Sequence, residues 1–284
     1  DPIKTILKNN KLIENLATSY ILLSIMLASY SSYRKNEGND FVYHYPLILE
    51  GAPGIGKSDL AIRYFNYLNI PWIRYNFSLN VEISQIFGSF TIKADKDGHE
   101  STVFIPSKLS LLINKNNYKI NTNSFEISNE SLNQDELNVI GEEFLGKTGS
   151  PRQFSLLNNE LTIGILLDEL NLAPPELLDH ISALIKASCA TKKFHIPGDV
   201  EVELVPHIIF IISQNPSTMS SNRGTLPLSL INSSIVYRDI QFTNSELATV
   251  SCNLLAQNAV IAKEIMDSTI IPMIKRCVIE SQKA

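Results

Sequence analysis

The sequence is poor in the residues that build a disulfide framework or a zinc site. Its three cysteines, Cys189, Cys252 and Cys277, are an odd number, lie far apart and show neither C-x-x-C nor Cys/His metal spacing. This pattern argues against a disulfide-rich secreted domain and against a zinc-binding domain. A reduced compartment fits best, so we expect an intracellular protein of the cytoplasm or the nucleus.

A strong charge of one sign is also missing. The formal net charge is −5 and the pI about 5.6, so no bulk electrostatic signal points to nucleic acid or to an anionic membrane. Local basic patches stay compatible with these numbers. With 284 residues, 44% of them hydrophobic, the chain is long enough for one large or two smaller domains with a real core.

A secretory leader and a clear membrane span are lacking as well. No basic region followed by an apolar core and a cleavage site opens the sequence, which starts at Asp1 and is compatible with a piece of a longer protein. Residues 15–33 carry no charge, but serines and a threonine interrupt their short apolar run. We therefore expect a core helix there and no contact with a membrane.

What the sequence has is an alternation of strand and helix patterns. Short apolar runs predict strands at residues 43–50, 71–76, 161–167 and 207–213, and helical spacing predicts helices at 56–68 and 175–187. The last two strands are apolar on both faces, which is typical of buried parallel strands. The sequence therefore predicts an α/β fold, with a parallel sheet between two layers of helices.

The pattern also suggests a domain organisation. Residues 1–40 are interpreted as an N-terminal helical segment, 41–243 as the α/β core, and 244–284 as a C-terminal helical segment that forms part of a lid. Within the core, residues 114–159 are rich in Asn, Ser and Glu and show weak periodicity. We interpret them as a long mobile insertion.

One motif matches a phosphate-binding loop in full. Residues 51–58 fit G-x-x-x-x-G-K-[ST] and lie between a predicted strand and a predicted helix, which is the context that this P-loop motif requires. Backbone N–H groups would wrap the phosphates, Lys57 would reach the outer phosphates and Ser58 would ligate Mg²⁺. A similar tract at 146–148 lacks the upstream glycine and the preceding strand. The predicted nucleotide-binding residues are Gly51, Ala52, Pro53, Gly54, Ile55, Gly56, Lys57, Ser58 and Asp168.

Two acids follow the strand predicted at 161–167. Asp168 and Glu169 would lie at the carboxyl edge of the sheet, where open α/β sheets bind their ligands. This arrangement is a Walker B motif, in which Asp168 helps to hold Mg²⁺ and Glu169 polarises the attacking water. An apolar run that ends in Asp-Glu is often structural, but its position about 110 residues after a P-loop favours the catalytic interpretation.

A polar residue also follows the strand predicted at 207–213. Asn215 could orient the water or contact the γ-phosphate, as a sensor residue does, whereas an isolated Asn-Pro pair would more simply form a turn. Its order after the two preceding motifs favours the sensor interpretation. The predicted catalytic residues are therefore Lys57, Glu169 and Asn215.

At this point the sequence resembles a family, the AAA+ ATPases of the midasin (dynein-related) and MoxR branch. Residues 167–176, LDELNLAPPE, are similar to the branch's LDEINLAxPE, and 214–216 are similar to its sensor ATxNP. Weaker similarity links 72–78 and 85–90 to its second strand and DLxG segment, and 223–232 to its GRxxLPxALxNRF. The resemblance covers about 45–242 and implies an AAA+ sheet order, ATP as nucleotide, assembly into a ring with other such modules, and remodelling of a protein or ribonucleoprotein complex.

One departure from that family concerns its arginine finger. Where the family has Asn-Arg-Phe, this sequence has Ser233 after Asn232, so the arginine that acts on the neighbouring nucleotide is absent. Arg223 or Arg238 could replace it, and Arg276 is the single candidate for a second sensor arginine. The alternative to an ATPase is accordingly a nucleotide-binding ring scaffold with little turnover. A nucleotide switch on nucleic acid is a further alternative, which the acidic balance disfavours.

Overall fold

The fold was described from a computed structural model, which covers residues 45–94, 99–128, 130–145, 152–157, 159–196, 200–216 and 224–240. The strands of these residues are β1 (Leu47–Gly51), β2 (Trp72–Asn76), β3 (Gly88–Ala94), β4 (Glu100–Pro106), β5 (Tyr118–Ile120), β6 (Ser124–Ile127), β7 (Phe154–Ser155), β8 (Thr162–Asp168), β9 (Lys193–Ile196), β10 (Val200–Glu203), β11 (His207–Gln214) and β12 (Ile235–Ile240). The α-helices are α1 (Lys57–Leu68), α2 (Ile83–Phe87), α3 (Lys108–Ile113), α4 (Gln134–Ile140), α5 (Glu142–Leu145), α6 (Pro175–Cys189) and α7 (Leu228–Asn232). Two 3-10 turns occur at Lys115–Asn117 and Leu170–Leu172.

A five-stranded parallel sheet organises the core. Its order is β12-β1-β11-β8-β2, with every neighbouring pair parallel. Numbered within this sheet alone, the order is 5-1-4-3-2, which is the AAA+ type of sheet order. The strands predicted from apolar runs are confirmed, with shifts of at most four residues at their ends. The predicted α/β fold class, with a P-loop between the first strand and its helix, is confirmed.

The central strands are buried on both faces because helices cover both sides of the sheet. All seven residues of β8 are buried. On one face, Leu60, Tyr64 and Phe65 of α1 pack against β1 and Leu166 of β8. On the other face, α6 packs its apolar stripe against the alternate residues of β8 and β11. Successive side chains of β1, β8 and β11 therefore point alternately into two cores. The predicted arrangement of a sheet between two layers of helices is present.

Glycine permits the close approach of α1 to β8. A Cβ atom added to Gly164 would lie 2.6 Å from the ring of Phe65, closer than packed carbon atoms approach. Phe65 is fully buried and stacks on Trp72 of the edge strand at a centroid distance of 6.4 Å. The helix thus sits directly on the strand that ends in Asp168.

The described residues of the predicted insertion at 114–159 contain regular structure, although their periodicity in the sequence is weak. They form β5, β6 and β7, which make a three-stranded antiparallel sheet, together with α4 and α5. Phe125, Ile140 and Phe154 belong to the same hydrophobic core as the parallel sheet. The strands have two to four residues and the helices seven at most, which is too short to produce a detectable period in the sequence.

Two further features bear on the predictions. The antiparallel hairpin of β3 and β4 follows α2 and was not predicted. In the part of the chain that the structure describes, no helix has the length and apolar character needed to cross a membrane. The N-terminal helices predicted in 1–40, the uncharged stretch 15–33 and the C-terminal segment 244–284 lie outside the described residues, so the domain boundaries stay predictions.

Candidate functional site

The site is a cleft at the carboxyl ends of the parallel strands. Because β1 lies beside β11 and β11 beside β8, the residues that follow these three strands meet at one edge of the sheet. The cleft has a volume of about 420 Å³. Its lining residues are Pro53, Gly54, Ile55, Gly56, Lys57, Ser58, Asp59, Arg74, Asn76, Asp168, Glu169 and Asn215. The predicted residues Gly51 and Ala52 lie at its base, where their carbonyl groups contact Lys57.

The loop at 51–58 depends on glycine at two positions. Gly54 and Gly56 have φ angles of 76° and 83°, in the left-handed region that side chains disfavour. Gly56 directly precedes α1 and has no side chain that could cap the helix. No side-chain hydrogen bond caps the N-terminus of α1, which borders the cleft, and a helix N-terminus of this kind favours a bound anion.

Lys57 ties the loop to the end of β11. Its Nζ donates to the carbonyl oxygens of Gly51 and Ala52, each at 2.8 Å, and to Oδ1 of Asn215 at 3.1 Å. Although it carries a charge, the residue is only 7% exposed. Such burial of an ammonium group requires several acceptors, which these three oxygens supply. The lysine therefore places a positive charge at the floor of the cleft.

Asp168 accepts hydrogen bonds from three elements. Ser58 Oγ donates to Oδ2 at 2.9 Å, Arg74 Nη2 lies 2.5 Å from the same oxygen, and Ser213 donates to Oδ1. The hydroxyl of Ser58 and the carboxylate of Asp168 are hard oxygen ligands of the kind that Mg²⁺ prefers. This pair therefore fits a magnesium ion held by one or two protein oxygens, with phosphate and water completing its ligands.

Glu169 is held in an unusual backbone conformation. Its φ angle of 56° is left-handed, which costs a residue with a side chain about 1–2 kcal/mol. Its N–H donates to the carbonyl of Ser213 at 2.7 Å, and its Oε1 accepts a hydrogen bond from Nδ2 of Asn215. These two contacts fix the carboxylate beside the predicted sensor residue. A strained residue in a polar cleft is typical of a functional site.

The structure adds residues that the motifs did not reveal. Ser213 pairs with Asp168 in the sheet register, and Arg74 reaches Asp168 from the edge strand. Asn171 is 2% exposed and donates from Nδ2 to the carbonyl of Asn215 at 3.1 Å, which holds the segment after β11. Asn171 lies inside the segment LDELNLAPPE, so its position after the two acids was a usable signal. No such signal marks Arg74, because the similarity at 72–78 identifies a second strand and gives no role to this residue.

Of the arginine-finger candidates, Arg238 is the one among the described residues, and it does not line the cleft. Ser233 follows α7, and its hydroxyl donates to the carbonyls of Ser229 at 2.9 Å and Leu230 at 3.1 Å. Arg238 lies exposed on β12, the strand at the sheet edge beside β1. Arg223 and Arg276 lie outside the described residues. Whether Arg238 reaches a neighbouring subunit stays a prediction.

Comparisons with known proteins found distant similarities. No protein-family model matches the chain. An uncharacterized protein of Staphylococcus epidermidis is 32% identical over 59 residues, which is 21% of this chain and 22% of that protein. The chain thus matches about a fifth of this curated relative.

Two solved structures are similar in shape. A crystal structure of a candidate ATPase from Cytophaga hutchinsonii has a TM-score of 0.48 and 13% identity, over 90% of this chain and 56% of that one. A RuvB mutant of Thermotoga maritima has a TM-score of 0.44 and 12% identity, over 87% of this chain and 54% of that one. The chain spans just over half the length of each. The fold assignment rests on this chain's own strand order and P-loop geometry.

Proposed function

We propose that this chain binds and hydrolyses ATP with Mg²⁺ as an AAA+ module resembling the midasin and MoxR branch. The observation that carries the proposal is the convergence of five predicted residues in one cleft. Ser58, which follows Lys57, lies 110 residues before Asp168, and Glu169 lies 46 residues before Asn215. Hydrogen bonds nevertheless join Lys57 to Asn215, Ser58 to Asp168 and Asn215 to Glu169. The order β1-β11-β8 brings them together.

The phosphates would bind at the loop between β1 and α1. The backbone N–H groups after Gly54 and the N-terminus of α1 would face the phosphate oxygens. Lys57 would exchange its carbonyl and Asn215 acceptors for oxygens of the outer phosphates. Mg²⁺, when bound, neutralises charge on the β- and γ-phosphates. Ser58 and Asp168 would hold it, directly or through water.

The hydrolytic step would depend on Glu169 and Asn215. Glu169 would accept the proton of the attacking water, and Asn215, which donates to the Glu169 carboxylate, would orient both groups. Asn171 would position Asn215 through its backbone carbonyl. In-line attack needs this alignment, because phosphoryl transfer depends mainly on positioning and electrostatic stabilisation.

Steady-state ATP hydrolysis by the wild type and by the variant Glu169→Gln tests the proposal. We expect the variant to lose turnover by about 10²- to 10⁴-fold while it still binds ATP, because general-base catalysis contributes roughly that factor. The variant Glu201→Gln is the matched control, since Glu201 is a partly exposed carboxylate that pairs with Lys193 and does not line the cleft. Turnover of the wild type no higher than that of Glu169→Gln would refute the ATPase.

The alternative is a nucleotide-binding scaffold that holds a ring together with little turnover. The observation in its favour is Ser233, whose hydroxyl bonds to carbonyls of its own helix and has no positive charge to offer a neighbouring phosphate. The intact pair of Asp168 and Glu169 favours the enzyme. The same assay separates the two, because a scaffold binds ATP tightly and gives equal, low turnover in the wild type and in Glu169→Gln.

The wider role is part of the same proposal. The resemblance supports an intracellular module that assembles into a ring with other AAA+ modules and remodels a protein or ribonucleoprotein complex. The choice of ATP over GTP also rests on the resemblance, because a P-loop contacts phosphates and not the base. No direct partner on nucleic acid or membrane is proposed.

A further inference from the structure

Arg74 occupies an unexpected position in the cleft. Of the described residues that line the cleft, it is the one arginine. Its Nη2 lies 2.5 Å from Oδ2 of Asp168, the same oxygen that accepts the hydrogen bond from Ser58. The arginine side chain is 44% exposed and the aspartate side chain 10% exposed. A partly solvated cation is thus paired with a nearly buried carboxylate.

The sheet register explains how Arg74 reaches this oxygen. Arg74 pairs with Leu166 and Asn76 pairs with Asp168 across the neighbouring strands β2 and β8. Residues two apart on a strand point to the same face of the sheet. Arg74 therefore lies on the same face as Asp168, two residues before the level of Asp168 at the carboxyl edge. Its long side chain covers the remaining distance.

The contact places two cations in competition for one carboxylate. Ser58 and Asp168 form the oxygen pair that fits Mg²⁺, and the guanidinium already neutralises Asp168 at that position. A divalent ion approaching these oxygens meets the positive charge of Arg74 within a few ångströms. Like charges at that distance repel even in a partly solvated cleft. The ion and the guanidinium therefore cannot both bind Oδ2 of Asp168 closely.

A second cavity beside Arg74 could take up the guanidinium when it leaves Asp168. Arg74 also lines a neighbouring cavity of about 670 Å³ on the far side of β2, together with Tyr75, Ser107 and Glu143. Glu143, which pairs with Lys108 at 2.5 Å, is a carboxylate of this cavity toward which the guanidinium could move. Arg74 thus borders both cavities, and rotation of its side-chain bonds would carry the guanidinium from one toward the other.

We propose that Arg74 takes the place of the divalent cation at Asp168 while the cleft holds no nucleotide, and that Mg²⁺ displaces it. The inference rests on the proposed function, because it concerns the ion that accompanies the nucleotide. Arg74 is then a positioning residue. It pairs with the Asp168 carboxylate and holds its orientation while no nucleotide is bound, and it raises the concentration of cation needed to load the site.

The test measures metal binding and not turnover. With ADP at saturation, Mn²⁺ is titrated as a probe for the magnesium site, and the free ion is followed by its electron paramagnetic resonance signal. We expect Arg74→Met to lower the half-saturating Mn²⁺ concentration by roughly two- to fivefold, the range that fits a partly exposed ion pair. Arg74→Lys keeps the positive charge and should stay closer to the wild type.

Two controls separate this result from a loss of structure. Arg152→Met removes an arginine that lines only the neighbouring cavity, and it should leave the Mn²⁺ titration unchanged. Arg74→Gln is a second neutral variant. It replaces Arg74→Met in the titration if thermal unfolding, measured by circular dichroism, shows that Arg74→Met does not fold. Both neutral variants should move the titration in the same direction.

The outcomes distinguish the inference from the proposed function. A wild type that binds ADP and Mn²⁺, beside neutral variants that need the same or more Mn²⁺, would overturn the competition and leave the ATPase intact. A wild type that binds neither ADP nor Mn²⁺ would overturn the proposed function and this inference with it. A two- to fivefold fall in both neutral variants supports the inference.

Discussion

The cleft and the segment 114–159 use polar residues in opposite ways. In the cleft, polar side chains bond across the fold, as Ser58 does to Asp168 and Lys57 to Asn215. In the segment, Asn133 and Glu136 cap the start of α4 within four residues of chain, and buried phenylalanines attach the segment to the core. The polar groups of the cleft thus depend on tertiary structure and serve binding, whereas those of the segment serve local structure.

The largest effect on stability should come from the apolar anchor of the segment. Phe125 is fully buried between Tyr118 and Phe154, at centroid distances of 5.6 and 5.7 Å. Phe125→Ala should lower the free energy of unfolding by about 3–5 kcal/mol, because it leaves a cavity in the core. Urea unfolding measures this loss. Phe90→Ala, at a ring that is 45% exposed on the hairpin, is the control. Equal losses in the two variants would mean that the segment is not anchored by its core.

A polar change in the cleft should cost both stability and function. Asn171→Ala removes the donor to the buried carbonyl of Asn215, so we expect a loss of about 1–3 kcal/mol in the free energy of unfolding. ATP turnover should fall as well, because Asn215 loses its support. Asn138→Ala, at an exposed side chain on α4, should change neither quantity. Unchanged turnover in Asn171→Ala would show that Asn215 is held by other contacts.

The smallest effect should come from the polar cap of the segment. The side chain of Asn133 accepts a hydrogen bond from the N–H of Glu136 at 3.0 Å. Asn133→Ala should lower the free energy of unfolding by about 1 kcal/mol, without a change in ATP turnover. Asn133→Ser retains an acceptor at the cap and should restore most of the loss. A fall in turnover with Asn133→Ala would connect the segment to the cleft and weaken the contrast between the two regions.

The same contrast explains what could be predicted of the fold. The strands β8 and β11 were predictable because both of their faces are largely buried: all seven residues of β8 and six of the eight in β11. The helices α1 and α6 were predictable from apolar residues at helical spacing. The elements of 114–159 escaped prediction because their stability comes from isolated aromatic residues, such as Phe125 and Phe154, that meet only in three dimensions.

The candidate site divides in a similar way. The loop at 51–58 and the acids after β8 were predictable because each is a local pattern with a known chemical use. Arg74 and Ser213 were not, since each contacts Asp168 from a neighbouring strand at a position that no local pattern marks. Hydrogen bonds between strands depend on strand order and register, which the motifs leave undetermined.

The amino-acid sequence by itself determined the fold class and the chemical groups of the cleft. The spacing of apolar residues and their need to be buried are properties of short stretches of sequence. They therefore specify strands, helices and the loop that joins β1 to α1. Only the tertiary structure decided which groups meet, because the order β12-β1-β11-β8-β2 places the ends of distant strands side by side. It also decided that the carboxylate of Asp168 is shared between Ser58, Ser213 and Arg74, since long-range packing and strand register set those distances.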